Sequence, residues 1–395
     1  MKKIALAVLS LGLLVSGCST DTKKEEKVVE KSGKSKEQAI VPKYSISDEY
    51  YKTTVPFDPG SARGLVVQGL NSRLDIDEFE TGLMRIAKES FSTKDYLFQG
   101  GKYLEKDTVQ MLVKRKRTDA EQKELEDKLK KDAAKFPNIG LNPALEAGSE
   151  SLEVRNKKTP VYLSNILEHD YYKRNGDQVE LGGIVIGLAM NSVHYFTEEH
   201  GYPREAEISE QEMLEKAKPM AQEILKVLHK NQDTKNVPIT FAIYRQGPKS
   251  TLVPGKFVSY AQVDKGSESI GDWKAINEKY YLFPSESAKT DVREDYTNVE
   301  NFKAKLSDYF KGDYTAVIGR GFYKDDQLKE MKVEIPVQFN GKAEVIGFTQ
   351  YVAGLVMQYF PNYIKVQVTI KSVERPEAII IRDAKQDEPF VKILD

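Results

Sequence analysis

The chain has 395 residues, 40% of them hydrophobic and 30% charged, which is apolar material for about two packed domains. With 59 Lys and Arg against 60 Asp and Glu the net charge is −1, so no cationic field exists to attract nucleic acid. One cysteine, Cys18, excludes an internal disulfide, a multi-cysteine zinc site and a CxxC redox centre.

Met1-Lys2-Lys3 is a short positive segment, and Ile4 to Val15 is an apolar run too short to span a bilayer, so residues 1–17 read as a leader. The leader ends in Val15-Ser16-Gly17-Cys18, which fits the bacterial lipobox: an aliphatic residue, two small residues, then the cysteine that becomes residue one. The chemistry needs sulfur there, because diacylglycerol transfer forms a thioether and a serine hydroxyl is too poor a nucleophile. The expected product carries a covalent diacylglycerol on Cys18 and no other cofactor. Two acyl chains convert reversible binding into lasting attachment. The expected place is therefore the outer face of the cytoplasmic membrane, with the lipid bilayer and the lipoprotein-processing enzymes as partners. Residues 18–44 are rich in Lys, Glu and Ser and read as a lipidated flexible tether. Its r.m.s. reach is about 25–30 Å.

The folded part is read as α+β. Gly64 to Gly69 and Thr108 to Val113 have strand patterns, while Asp75 with Glu78 resembles a capping box opening a helix with Phe79, Leu83, Ile86 and Ala87 on one face. Thr118 with Glu121 caps a charged, peripheral helix. Val161 to Tyr172 and Val179 to Met190 are strands joined across Asn175-Gly176, a strong hairpin signal. Ser209 with Glu212 opens an amphipathic helix kinked at Pro219, and strands Val237 to Tyr244 and Lys256 to Val263 follow. Gly266 to Thr297 reads as an irregular connection. Beyond it come a short helix through Val299, Phe302, Leu306 and Phe310, strands Tyr314 to Tyr323 and Val333 to Phe339, and a turn at Asn340-Gly341. A helix through Val345 to Tyr359 and strands Tyr363 to Val373 and Ala378 to Ile381 complete the chain. The order of two strands, one helix and two strands occurs twice. It predicts two α+β domains, 45–285 and 286–395, with antiparallel sheets packed by helices and possible duplication of a ββαββ unit.

Catalytic grammar is missing. Glu168-His169-Asp170 and His194 with Glu198, Glu199 and His200 lack metalloprotease spacing, and a strand puts His169 on the face opposite Glu168 and Asp170. No GxSxG elbow is present, and the mature chain lacks SxxK. In the loop Gly247 to Lys256 the first glycine stands too far from Gly255-Lys256 for a phosphate loop, and Phe257 replaces the magnesium-binding hydroxyl. Gly182, Gly183 and Gly187 lie within a strand pattern, which rejects a dinucleotide fingerprint. The chain is therefore not read as an enzyme. Tyr171, Tyr172, Tyr195 and Phe196, with Trp273, Tyr280, Tyr281 and Phe283, are the candidate ligand surface, since aromatics give large contact area at small entropic cost. Ordinary sheet and core packing is the competing explanation in a chain with 21 Tyr.

The lipobox, the mixed-charge segment after it, PVYLSNILEHDYYKRNGDQVELGGIVIGLAMNSVHY (Pro160 to Tyr195) and VEIPVQFNG (Val333 to Gly341) together resemble the CamS family of Gram-positive lipoproteins known as sex-pheromone precursors. The resemblance covers most of the mature chain. It implies that the leader, rather than the folded part, supplies a short hydrophobic peptide after signal-peptidase cleavage and further trimming in the membrane. On this chain that peptide starts at Ser10 or Leu11 and continues through Gly12, Leu13, Leu14, Val15 and Ser16 to Gly17. The alternative reading is an envelope binding module that captures a peptide or glycan through an aromatic groove, without a pheromone role.

Overall fold

The computed structural model describes residues 26–32, 35–42, 44–176, 178–309, 316–339 and 341–395. The leader and Cys18 lie outside the described residues. The first unit contains strands β1 (Glu26–Ser32), β2 (Ser35–Val41) and β3 (Lys52–Thr53), helix α1 (Arg73–Ala87), and strands β4 (Tyr96–Gly100), β5 (Leu163–Asn175) and β6 (Gln178–Met190). A separate hairpin, β7 (Val193–Thr197) with β8 (Pro203–Glu207), is followed by helix α2 (Glu210–Leu228) and strands β9 (Ile239–Arg245), β10 (Lys256–Val263) and β11 (Lys274–Ala275). The second unit runs through β12 (Glu278–Phe283), α3 (Arg293–Tyr309), β13 (Ile318–Lys324), β14 (Gln327–Pro336), α4 (Lys342–Tyr359), β15 (Lys365–Lys371), β16 (Pro376–Arg382) and β17 (Phe390–Ile393).

The first sheet has the order β11-β10-β9-β6-β5-β4-β3, with β1 and β2 attached through β6. The second is β12-β13-β14-β15-β16-β17. Both contain the same unit: an antiparallel hairpin (β5-β6 or β13-β14), a helix, and a second antiparallel hairpin (β9-β10 or β15-β16). In both, the inner strands pair in parallel, β6 with β9 and β14 with β15. The ββαββ order read from the sequence is thus present twice. The sheets are mixed rather than purely antiparallel, because a helix between strands two and three returns the chain to the same end of the sheet. Asn175 pairs with Gln178, so the hairpin turn begins at Gly176 (φ +61°), one position beyond the expected Asn175-Gly176 pair.

Both faces of the first sheet are covered. On one, α2 inserts Met213, Ala217, Ala221 and Ile224 against Ile184, Ile186, Leu188 and Phe241. On the other, α1 packs Phe79 and Leu83 against Val185, Ala189 and Phe257. Gly187 gives Phe79 and Leu83 room, and a side chain at Gly183 would collide with the Phe91 ring, so these glycines of β6 serve packing. In the second unit α3 and α4 cover the sheet with Val299, Phe302, Leu306, Phe348, Val352 and Val356. The end of α4 is capped by the buried Arg382, whose guanidinium donates to the carbonyls of Phe360 (3.0 Å) and Pro361 (2.5 Å).

Several expectations are corrected. Gly64 to Gly69 is helical, as a 3₁₀ turn Arg63–Leu65 and a short helix Val66–Gly69, and Thr108 to Val113 falls mostly in the helix Lys106–Leu112. Short apolar runs do not distinguish a buried strand from a buried helix. The start of α1 is Ser72, whose hydroxyl accepts from Asp75 N–H at 3.0 Å, not Asp75. The segment expected as a tether holds β1 and β2, and Ile40 and Val55 exchange backbone hydrogen bonds of 2.9 and 2.8 Å. Composition signals whether a segment can build a core, whereas a strand at a sheet edge needs only backbone partners. Within the expected irregular stretch, β12 pairs with β13 over its whole length, so the second sheet begins at Glu278 and the boundary moves from 285/286 to before that residue. The turn residue Asn340 and residues 310–315 lie outside the described residues.

The units meet through ion pairs. Arg85 on α1 donates to Glu78 at 2.5 Å and, through two nitrogens, to Glu278 of β12 at 3.0 and 2.9 Å. Its guanidinium lies 4.5 Å from the centre of the Phe322 ring on β13.

Candidate functional site

A group of buried titratable side chains, Glu168, His169 and Asp170, sits in the middle of β5. Alternation along the strand points Glu168 and Asp170 to one face and His169 to the other, as the sequence predicts. The backbone of the loop after β4 closes over the carboxylates. Glu168 accepts from Tyr103 N–H at 3.0 Å and from Leu104 N–H at 2.7 Å, while Asp170 accepts from Lys102 N–H at 3.0 Å. Gly101 is needed there, since a Cβ would collide with the Glu168 side chain. Burial raises the Glu168 carboxyl against the pull of those amides. Asp170 is raised as well, first by burial and then by the charge of Glu168. At 6% and 0% exposure neither carboxylate reaches a dissolved substrate. Their work is to anchor the loop.

On the opposite face His169 packs edge-on against Phe98 at 4.9 Å, its Nδ1 buried without a partner. It borders a small cavity of ≈ 20 Å³ lined by Phe57, Phe98, Ile166 and Leu167, room for about one water. The Arg63–Glu80 ion pair (2.9 Å) stands at its rim. Burial, aided by Arg63, lowers the His169 imidazole to about 3, and burial with Arg115 lowers His194 to about 4. A depressed histidine contributes stability that is complete above its unfolded value near 6.5 and is lost as pH falls toward the folded one. The raised carboxyls have the reverse sign, so the measurement must be a difference. The unfolding free energy of the native chain relative to His169→Leu should fall by about 1.4 kcal/mol per pH unit between about pH 6 and pH 4, read from urea titrations. A flat difference would mean that His169 charges within the fold.

The eight aromatics of the candidate ligand surface are not brought together. Tyr171 is fully buried against Tyr51 and Phe91, at ring distances of 4.9 and 5.0 Å. Tyr172 lies in a separate cluster with Val41, Leu97 and Val179. Tyr195, on β7, accepts from Lys249 N–H at 3.0 Å beneath that lysine's ammonium, and Phe196 stacks on His194. Trp273 is half-buried against the α2 core. Tyr280 contacts Phe322 at 4.9 Å where the units meet, whereas Tyr281 and Phe283 belong to the second core. Tyr171, Tyr172, Trp273 and the pair Tyr281 and Phe283 pack with four different clusters, which explains the dispersion.

His194 sits 3.1 Å from Asn156 and 3.4 Å from Arg115, a packing arrangement. Among the described residues no group of three His, Cys, Asp or Glu is placed to hold a metal ion. No helix among them is long and apolar enough to cross a membrane. The loop that superficially suggests a phosphate site is occupied from within: Asp75 Oδ1 accepts from Gly247 N–H (3.1 Å), Gly255 N–H (2.8 Å) and the Tyr244 hydroxyl (2.8 Å). Sequence reasoning missed Asp75 in this role, because its partners lie about 170 positions away and no local spacing signals them.

Comparison with known proteins gives a family model, described as CamS sex pheromone cAM373 precursor, matching residues 57–388. The chain is 34% identical to the solved C-terminal domain of the sex pheromone staph-cAM373 precursor from Staphylococcus aureus, over 83% of this chain and 98% of that one, with a TM-score of 0.73. It is 30% identical to the sex pheromone precursor from Lactobacillus salivarius subsp. salivarius, over 89% of this chain and 98% of that one, with a TM-score of 0.78. No curated protein matches the chain.

Proposed function

Since the chain belongs to the CamS family of sex pheromone precursors, we propose that it is made as a lipoprotein whose leader yields a short hydrophobic peptide. The observation that carries the reading is the lipobox Val15-Ser16-Gly17-Cys18, set directly behind an apolar run of suitable length, in a chain of this family. Cleavage before Cys18 would leave Leu11 to Gly17 at the end of a leader fragment, where Gly12 weakens helix and eases unwinding by a membrane protease. The Cys18 sulfur would carry diacylglycerol and hold the folded units at the outer face of the cytoplasmic membrane. No enzymatic role is proposed for the folded units, in which the raised carboxyls of Glu168 and Asp170 are closed off from solvent.

Mass spectrometry of spent medium tests the peptide, which should be a fragment ending at Gly17, active in a mating-response assay as a synthetic copy. Medium without the fragment, together with an inert synthetic peptide, defeats the pheromone reading. Cys18→Ser tests the anchor. The variant should appear in the medium or keep its leader, and it should leave the detergent phase in which the native protein partitions. Unchanged partitioning with normal processing counts against lipidation.

A further inference from the structure

Between β2 and β3 the chain turns three apolar side chains outward and one, Tyr51, into the core. Tyr44 is 83% exposed, Ile46 81% and Tyr50 54%, while the intervening Ser45 and Ser47 are half-buried. This inverts the pattern of a solvated loop, in which the serines would face water. The serines are used in the turn itself. Ser45 Oγ donates to the Ser47 carbonyl at 3.0 Å, and Ser47 Oγ accepts from Glu49 N–H at 3.1 Å. The inner side of the segment is tied to both units, by Thr93 Oγ1 donating to the Asp48 carbonyl (2.8 Å) and by Lys365 Nζ donating to Glu49 (3.2 Å). The outward residues are thus presented by a braced segment.

We propose that Tyr44, Ile46 and Tyr50 rest in the boundary between headgroups and acyl chains of the membrane that anchors the protein, an inference that depends on the lipid anchor proposed above. The strand register supplies the geometry. In the β1-β2 hairpin Glu26 lies opposite Val41, so the chain leading back to Cys18 leaves the fold beside the start of the strip. Eight residues from Cys18 to Glu26 span at most about 29 Å, and three from Val41 to Tyr44 about 11 Å. Without the hairpin the 26 residues from Cys18 to Tyr44 would extend to about 90 Å. The hairpin therefore brings the strip back to the end of the molecule that faces the bilayer.

Chemistry favours lipid. A tyrosine ring with a hydroxyl tip suits the interface, where one end is apolar and the other wet. Asp48 and Glu49 are exposed beside the strip, which disfavours a polyanion, and the contact should respond little to salt. Three side chains would not hold a free protein to a membrane. Tethered by two acyl chains, they act at high effective concentration and orient the fold.

The test uses the full lipidated mature chain in phosphatidylglycerol vesicles with brominated acyl chains. Ile46→Trp introduces a reporter, and the native chain with Trp273 alone gives the background. Added emission from position 46 should fall by about twofold or more against unbrominated vesicles, as for a side chain buried roughly 5–10 Å into the interface, and raised salt should not restore it. A chain that floats with the vesicles but shows no quenching at position 46 overturns this inference while leaving the anchor intact. So does a concentration-dependent dimer without quenching, which would assign the strip to a second copy. A native chain that fails to float removes the anchor, and this inference with it.

Discussion

Asp75→Ala is expected to lower the unfolding free energy by about 3–5 kcal/mol, measured by urea denaturation at neutral pH. The side chain is fully buried and serves the start of its helix together with a loop far along the chain. Its Oδ2 accepts from the Ser72 hydroxyl at 2.7 Å, while Oδ1 gathers the Tyr244 hydroxyl and the amides of Gly247 and Gly255. Truncation leaves those donors without an acceptor, and each buried unpaired donor costs about 1–3 kcal/mol. Asp75→Asn keeps a carbonyl for the three Oδ1 partners and should lose clearly less. If alanine and asparagine are equally mild, the loop does not depend on this acceptor.

The second large effect is expected at Arg85. Arg85→Met leaves Glu78 and Glu278 buried side by side with no cation and should cost about 3–5 kcal/mol. Glu278 is 1% exposed and Glu78 8%, so solvent cannot replace the guanidinium. Since Arg85 joins α1 to β12, hydrogen exchange in β12 should accelerate more than exchange in β15, which lies inside the second sheet. Removing all three charges together, with Glu78→Gln and Glu278→Gln added, should recover much of the loss, because the penalty comes from uncompensated charge rather than from the missing attraction. A triple variant no better than Arg85→Met would show that the guanidinium's contact with the Phe322 ring, lost in both, carries the effect.

Local signals survive folding where one short-range cause dominates. The β5-β6 hairpin, placed to within one residue of its turn, the capping box of Thr118 and Glu121 and the periodicity of α2 were legible because partners two to four residues apart decide them. The twofold ββαββ order was legible for the same reason. The parallel pairing of the inner strands was not, since strand direction depends on where the connecting helix packs. Gly64 to Gly69 and Thr108 to Val113 are helical, and their short apolar runs carry no period that separates helix from strand.

The sequence alone determined the family resemblance, which the comparisons bear out. The lipidation proposed at Cys18 rests on linear sequence too, because covalent processing reads a short local motif rather than a fold. Only the tertiary structure decided that the aromatics disperse into separate cores, that Asp75 fills a loop resembling an anion site, and that an apolar strip faces outward between β2 and β3. Those outcomes depend on which distant surfaces meet, and side-chain burial is settled by the sum of such contacts rather than by any neighbour along the chain.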